Sequence, residues 1–399
     1  MIGGTGSVPS QKFATDTHSA GSGRLFTFEN PQGIRGSREA DYTCAVQLDW
    51  KQFRHRSEWL GLVLAMKLVP LLSRKACFHL ANFFGWSVAH LDLAGRRVAL
   101  SNLAAAFGDG LRPPQCRAIV NQSYQYLTRT MIDLLWSPRL TEENFLQWFE
   151  VTNLNEVMAE IGPNQSCIFI TIHYGNFEWA AKAMGLSGVP LLILAQEFKN
   201  SLLDPIIADL RRHSGHAITG REGGIIRMFK ALKRGEHVAI LSDLTLRPTQ
   251  PSVIIDCFGM KTCVTYAHAW LHKKTGAPIV PLHCEQLPAG KCRLHVQPKL
   301  EIARDATETE IAQACWDRFE PLIRADPAPW LWMYKQWRYK PSDTARPYPF
   351  YSNTSAYFDL LLAQIAQHLP KSVHKEIVRR GRVSAPSVDK ALPMRSSNK

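Results

Sequence analysis

The sequence predicts an α/β fold: a central mixed sheet flanked by helices, with a helical membrane-associating N-terminal part and flexible termini. From residue 166 onward, short apolar runs of strand type alternate with helical segments, and this alternation is typical of a sheet covered by helices. Before residue 160, the apolar residues recur mainly with a helical period. Both ends of the chain are polar and lack periodicity, which favours disorder.

These patterns divide the chain into four parts. Residues 1–50 are rich in Gly, Ser and Thr and predict a disordered arm. Residues 51–160 are predicted to be the helical membrane-associating part, and residues 161–341 the α/β catalytic core. Residues 342–399 are predicted to contain a C-terminal helix, at 356–365, followed by a basic tail.

The elements of the core follow from apolar periodicity and from the positions of Gly and Pro. Strands are predicted at residues 166–172, 190–195, 237–242, 277–284 and 293–298, with a further short strand ending at 257–258. Helices are predicted at residues 176–186, 201–214, 223–234, 263–275 and 307–324.

Two apolar segments dominate the helical part, at residues 59–72 and 77–93. The first is shorter than the roughly 20 apolar residues that a spanning helix needs, and Lys67 and Pro70 interrupt it. Basic residues flank it, and the second segment carries Trp86 among its aromatic residues. Such a pattern suits a pair of helices lying at a membrane surface. Two ordinary core helices would show the same pattern, and both interpretations stay open.

The chain of 399 residues carries a formal net charge of +13. A basic surface can meet nucleic acid, an anionic membrane or an acidic partner, but no zinc-finger spacing or aromatic RNA-binding pattern is present. Nucleic acid is therefore not expected as a partner, although the charge alone keeps it as a rival hypothesis. The nine cysteines are odd in number and form no C-x-x-C pair, which favours a reduced compartment.

One stretch combines several features of a catalytic site. The apolar strand at 166–172 is followed directly by His173, then by a turn containing Gly175, then by a helix with Glu178 near its start. Ligands of open α/β sheets bind at the carboxyl ends of the strands. We therefore interpret His173 as a general base and Glu178 as the carboxylate that orients it. A structural His–Glu pair at a helix start, where an acidic residue is favoured anyway, is the alternative.

The motif around His173, HYGNFE, resembles the H-x4-D/E signature of glycerolipid-type acyltransferases. The sequence around it resembles that of the lipid A late acyltransferases, which are the lauroyl and myristoyl transferases. Further blocks of this chain match that family in the same order. They are Arg97-Val98 with Asn102-Leu103 and Phe107, Arg212 with Gly215, Leu241-Ser242-Asp243, Phe258-Gly259 with Thr262 and Thr265, and Trp332 with Lys335 and Arg338.

The resemblance implies an acyltransferase that moves a fatty acyl group from an acyl thioester to a hydroxyl of a lipid A precursor. It implies acyl carrier protein or acyl-CoA as the donor, a glycolipid acceptor, and a location at the cytoplasmic face of the cell inner membrane. Another glycolipid or an aminolipid as the acceptor, or a non-catalytic membrane-binding relative, remain the alternatives. No cofactor is implied.

Three more residues enter the predicted site as binding or oxyanion-stabilising groups. Arg212 is the candidate donor to the thioester oxyanion or to a phosphate, with a cation at a helix C-terminus as the alternative. Asp243 would support the site by a hydrogen bond or charge pair, although it could simply cap a turn. Asn176 can cap the helix that follows His173 and is placed in the same binding set.

Two further clusters have two interpretations each. A basic stripe could meet anionic lipid or an acidic carrier protein, or be a solvated helix face; it contains Arg227, Lys230, Lys233 and Arg234. An aromatic and basic block around Trp332 suits a lipid headgroup layer or, equally, the edge of a core.

No metal site is expected. His268 and His272 are spaced i, i+4, but no Glu follows His268 as the metalloprotease motif requires.

Overall fold

The computed structural model describes residues 50–195 and 199–368, the last three of them by their backbone alone. The predicted disordered arm, apart from Trp50, and the basic tail beyond residue 368 lie outside the described residues.

The bounds of the elements largely follow the predicted ones. The α-helices are α1 (Trp50–Leu68), α2 (Arg74–Leu91), α3 (Leu93–Phe107), α4 (Pro113–Trp136), α5 (Leu154–Ile161), α6 (Phe177–Leu186), α7 (Asp204–Arg212), α8 (Gly224–Lys233), α9 (Ala267–Thr275), α10 (Glu308–Trp316), α11 (Glu320–Ala325) and α12 (Ala356–His368). The strands are β1 (Phe149–Thr152), β2 (Ile168–Thr171), β3 (Leu191–Leu194), β4 (Ala217–Thr219), β5 (His237–Leu241), β6 (Ser252–Cys257), β7 (Met260–Thr265), β8 (Ile279–Gln286), β9 (Cys292–Val296), β10 (Tyr339–Lys340) and β11 (Asn353–Thr354).

The central sheet has seven strands in the order β1-β9-β8-β2-β5-β3-β4. All neighbouring pairs are parallel except β8 and β9, which pair antiparallel. The predicted α/β fold with a mixed sheet is thus confirmed. The segment predicted to be mainly helical, 51–160, also contributes β1 to the edge of this sheet.

The sheet is covered on both faces, and its central strand shows how the sequence specifies this. In β2 and the residue after it, Ile168, Ile170 and Ile172 pack into one core, while Phe169 points to the opposite core with α6 and the end of α4. Side chains of a strand alternate between its two faces, so a strand buried on both faces reads as a continuous apolar run. This explains the run from residue 167 to 172, which is apolar apart from Thr171.

The helix predicted at 263–275 is wrong in its first four residues. Residues 260–265 form β7, which pairs antiparallel with β6 through a two-residue turn at Phe258 and Gly259. Both turn residues have positive φ, +54° and +72°, as a type I′ hairpin turn requires. The β-branched residues of this segment favour the strand, and the helix begins only at Ala267.

The helix predicted at 307–324 is divided into α10 and α11. Thr307 caps α10 in a capping box with Glu310. Pro321 has no backbone N–H to donate and clashes with the preceding turn of a continuous helix. A new helix therefore begins with this proline in its first turn.

The N-terminal helices expose most of their apolar surface. α1 has no buried residue, and α2 buries only one face, which includes Cys77, Ala81 and Ala89. Arg74, predicted as part of a basic surface flank, is instead buried at 6% exposure and ion-paired with Asp133. Among the described residues, none of the helices has both the length and the hydrophobicity that crossing a membrane would require.

Gly175 lies in the turn between β2 and α6 and tolerates no side chain. Its φ is +62°, and a Cβ atom placed there would lie 2.0 Å from the carbonyl oxygen of Cys284. We expect Gly175→Ala to lower the free energy of unfolding by about 2–5 kcal/mol, from a positive φ together with a backbone clash. Urea unfolding would measure this loss. Gly188 also has a positive φ, but a Cβ atom placed there would meet nothing within 4 Å. Gly188→Ala therefore separates the cost of the positive φ from that of the clash. An equal loss of stability in both variants would contradict the clash.

Candidate active site

His173 and Asp243 meet because their strands are adjacent and parallel. In the pairing of β2 with β5, Thr171 lies opposite Leu241, so the residues two positions further on emerge side by side at the carboxyl edge of the sheet. The imidazole Nδ1 of His173 lies 2.8 Å from Oδ1 of Asp243. The backbone N–H of His173 donates to Oδ2 of the same carboxylate at 3.0 Å.

The Asp243 carboxylate is almost completely buried, with 1% exposure. The indole N–H of Trp330 donates to its Oδ2 at 3.1 Å. Burial alone raises the pKa of Asp243. The charge of His173, its two hydrogen bonds and the hydrogen bond from Trp330 together lower the pKa by more, so the net pKa lies below the usual value. An ionised carboxylate can only accept hydrogen bonds, so Nδ1 of His173 carries the proton in this pair.

This arrangement leaves Nε2 of His173 as the reactive atom. With Nδ1 protonated, a neutral imidazole has a free lone pair at Nε2. Nε2 makes no hydrogen bond to any residue in the described ranges, and the side chain is 15% exposed. Phe177 packs edge-on against the ring at 4.8 Å between centroids and restricts its rotation. The His–Asp pair therefore has the geometry of a general base with its orienting partner.

The predicted pairing of Glu178 with His173 is wrong. Glu178 binds Arg211 in a two-pronged ion pair, with Arg211 Nε 3.0 Å from Oε2 and an Arg211 terminal nitrogen 2.5 Å from Oε1. The reason is helical geometry: Glu178 lies in the first turn of α6, where its side chain faces α7, whereas His173 lies before the turn and faces β5. Asp243 occupies the position beside Nδ1 of His173 that the sequence predicts for Glu178.

Asn176 does not present its side chain to a substrate, contrary to the prediction. It is fully buried, and its Oδ1 accepts a hydrogen bond from the N–H of Trp179, which caps α6. Its amide nitrogen donates to Oδ2 of Asp133 at 2.8 Å and to Sγ of Cys292 at 3.8 Å. The capping role that the sequence suggested is confirmed, and the same bonds leave the amide no free group for an oxyanion.

Arg212 lies at the last position of α7 and is exposed. Its side chain makes no hydrogen bond or ion pair within the described part of the chain, and nothing there links it to His173. Its role toward the oxyanion or a phosphate stays a prediction.

Sequence reasoning missed Arg211 and Trp330. Arg211 and Arg212 both lie in the last turn of α7, and no local pattern distinguishes the one that reaches Glu178. Trp330 follows no local pattern, because its contact with Asp243 joins residues 87 positions apart.

The tryptophans of the aromatic block near the end of the core are buried, which favours the core-edge interpretation over the headgroup layer. Trp330, Trp332 and Trp337 are exposed by 2% or less. They surround Phe258, whose ring centroid lies 5.8 Å from that of Trp330. The Phe258-Gly259 turn therefore fills a core that supports the strand end carrying Asp243.

The basic stripe on α8 is an exposed helix face. Arg227 folds back to donate to Thr219 and to the carbonyl of Glu222, and Arg234 pairs with Glu236. These local bonds favour the solvated-face interpretation for two of its four residues.

Comparisons with known proteins show which proteins this chain is similar to. The family model described as bacterial lipid A biosynthesis acyltransferase matches residues 48–339. The chain is 21% identical to the lipid A biosynthesis lauroyltransferase of Escherichia coli (strain K12) over 303 residues, 74% of this chain and 95% of that protein. It is 23% identical to the myristoyltransferase of the same strain over 304 residues, 75% of this chain and 93% of that protein.

A mycobacterial protein is similar over a shorter stretch. The phosphatidylinositol mannoside acyltransferase of Mycobacterium tuberculosis (strain ATCC 25618 / H37Rv) is 26% identical over 203 residues, 49% of this chain and 62% of that protein.

Proposed function

We propose that this chain, which belongs to the bacterial lipid A biosynthesis acyltransferase family and is therefore an acyltransferase, transfers a fatty acyl group to a hydroxyl of a lipid A precursor. The donor is the thioester of acyl carrier protein or coenzyme A. His173 is the general base and Asp243 its orienting partner. The observation that carries this proposal is the imidazole with Nδ1 held by an ionised, buried carboxylate and Nε2 free.

The chemistry follows from the atoms. A lipid hydroxyl is too weakly acidic to attack a thioester unaided, so Nε2 of His173 accepts its proton as the oxygen bonds to the carbonyl carbon. Asp243 stabilises the imidazolium that forms and keeps its ring in place. When the tetrahedral intermediate collapses, the C–S bond breaks and the imidazolium returns the proton to the departing sulfur. The products are the acylated lipid and the free thiol.

Acyl transfer by the purified full-length chain tests this proposal. Radiolabelled acyl carrier protein and acyl-CoA thioesters are offered side by side with a lipid A precursor, and acylated lipid is followed by thin-layer chromatography. We expect transfer to the lipid A precursor from at least one donor, with release of one thiol per acyl group. Thioester hydrolysis without acylated lipid would refute the transferase assignment.

A different glycolipid is the second candidate acceptor. The similarity to a phosphatidylinositol mannoside acyltransferase favours it. The same assay with phosphatidylinositol mannoside as the acceptor distinguishes the two, since preferential acylation of that lipid would replace the first assignment.

The first two helices supply a surface for the membrane that holds such a lipid. Within the described residues, most large exposed apolar side chains lie between positions 50 and 93, among them Leu60, Leu64 and Phe84 with 51%, 50% and 46% exposure. Exposed apolar patches of this kind mark membrane or protein contacts. Basic residues flank them, including Arg54 and Lys75, which are exposed. α1 and α2 therefore lie on an anionic membrane surface with their apolar side chains inserted.

Replacing Leu60, Leu64 and Phe84 by Ser is expected to weaken binding to phosphatidylethanolamine–phosphatidylglycerol vesicles by about 10–100-fold. Each of these half-exposed apolar side chains becomes buried when it inserts into lipid, and serine lacks that favourable contribution. Vesicle flotation measures the effect. The control is a triple Ser variant of Leu146, Leu202 and Leu360, which are exposed on other elements. Equal loss in both variants would contradict a membrane face at α1 and α2.

A further inference from the structure

A small cavity lies beside α6. It is enclosed by the end of α4, by α6 and by α7, and its lining includes Lys182, Glu178, Arg211 and His216. Its volume is about 10 Å³, close to the space that one water-sized particle occupies. The proposed acyl-transfer mechanism uses none of this cavity.

Lys182 is the unusual residue of this cavity. It is only 4% exposed, and its Nζ atom has no hydrogen-bond partner. Ammonium groups are almost never buried without a partner, because the desolvation of the charge is unfavourable. Burial accordingly lowers the pKa of Lys182 to about 8, so the group still carries its charge for most of the time at neutral pH.

No neighbouring group of the cavity neutralises Lys182. The Glu178 carboxylate has both oxygens bound by Arg211. The imidazole of His216 has both nitrogens engaged, with Nδ1 accepting from the N–H of Leu191 and Nε2 facing the carbonyl of Ala181. Burial also lowers the pKa of His216, and the charge of Lys182 adds to this effect, so that ring is neutral. The cavity thus contains two cationic side chains, Lys182 and Arg211, and a single carboxylate.

We propose that this cavity is a binding site for one small monovalent anion of the size of chloride, held by the ammonium of Lys182. An ammonium group offers three donors and no acceptor, which suits a spherical anion and excludes a cation. The volume admits a monoatomic ion and is too small for a phosphate ester or a carboxylate with a chain. The anion would balance the charge of Lys182, because the Glu178–Arg211 pair is neutral and leaves that charge uncompensated.

Bromide provides a direct probe. Crystals of the full-length protein soaked in sodium bromide are expected to show an anomalous scattering peak in contact with Nζ of Lys182. A cavity that holds only water, with no anomalous peak at saturating bromide, would overturn the proposal. This measurement uses the unchanged protein and therefore does not depend on whether a variant folds.

Thermal unfolding provides the second measurement. Replacing gluconate, which is too large for the cavity, by chloride at equal ionic strength is expected to raise the Tm of the wild-type protein by about 2–4 °C. Lys182→Met is expected to lose this response, because its side chain has similar length and no charge. Lys230→Met, which removes an exposed lysine from α8, is expected to keep it. An equal chloride response in all three proteins would show a general salt effect and refute the site.

The pH dependence gives a third outcome with a defined sign. In gluconate the folded-state pKa of Lys182, about 8, lies below its value near 10.5 in the unfolded chain. The unfolded chain therefore binds more protons between these values, and stability rises as the pH increases from 8 to 10.5. A bound anion raises the folded-state pKa, so chloride is expected to flatten this rise relative to gluconate. An identical rise in both salts would count against anion binding at Lys182.

Discussion

His173→Ala is expected to lower kcat for acyl transfer by about 10²–10⁴-fold, the range that a positioned general base contributes. The variant lacks the Nε2 atom that accepts the hydroxyl proton. Its KM for the acyl donor is expected to change little, because binding of the thioester does not require proton transfer. Steady-state kinetics with the preferred donor and acceptor measure both parameters.

A second variant separates catalysis from folding. His173→Ala removes a partner of the buried Asp243 carboxylate, which would then keep only the backbone N–H of residue 173 and the indole of Trp330 as donors. His173→Gln retains a side-chain N–H that can donate to Asp243 but has no basic nitrogen. We expect Gln to restore stability without restoring kcat. Near-normal turnover in the Gln variant would remove His173 from the mechanism.

Asp243→Asn is expected to lower kcat by about 10³–10⁴-fold, as the loss of an orienting carboxylate does in serine-protease triads. The carboxylate accepts three hydrogen bonds, from Nδ1 and the backbone N–H of His173 and from Trp330. An amide has only one acceptor oxygen and must turn its NH₂ group toward one of these donors. When that group faces Nδ1, the proton of the imidazole moves to Nε2, which can no longer act as the base.

The same variant changes how acid affects stability. The folded-state pKa of Asp243 lies below its usual value. The carboxylate therefore contributes stability that is fully present above its unfolded-state pKa, about 3.9, and that is lost as the pH falls through its folded-state pKa. Asp243→Asn is therefore expected to remove part of the loss of stability that the wild-type protein shows below about pH 4. Urea unfolding at several pH values measures this difference.

Glu178→Gln is the matched comparison for Asp243→Asn. Glu178 is bound by Arg211 and not by His173, so its amide variant is expected to leave the imidazole in place. Arg211, which is 20% exposed, would lose its charged partner, with a loss of about 1–3 kcal/mol in stability after allowance for partial exposure. If Glu178→Gln lowered kcat as strongly as Asp243→Asn at unchanged stability, Asp243 would not be the orienting partner.

Local patterns were sufficient for most elements of the core. Apolar runs and breaking residues predicted β2, β3, β5, β8 and β9 within a few residues of their observed bounds, since strand and helix periods differ clearly. The errors occur where the pattern is ambiguous. β1 has the sequence FEVT and buries only Phe149, so it shows no continuous apolar run. β7 leads into α9 with a segment that suits either structure.

The sequence by itself determined the position of His173 at the end of a strand, the cap by Asn176 and the turn at Gly175, because each depends on neighbours within a few residues. It also carried the family resemblance that the comparison with the lipid A acyltransferase family confirmed. The order of the strands was decided only by the tertiary structure. That order places Asp243 beside His173 across 70 residues and turns Glu178 toward Arg211 across 33. A spacing of five residues indicated which carboxylate is near in the chain, but hydrogen bonds form with the carboxylate that is near in space, and here adjacent parallel strands supply it.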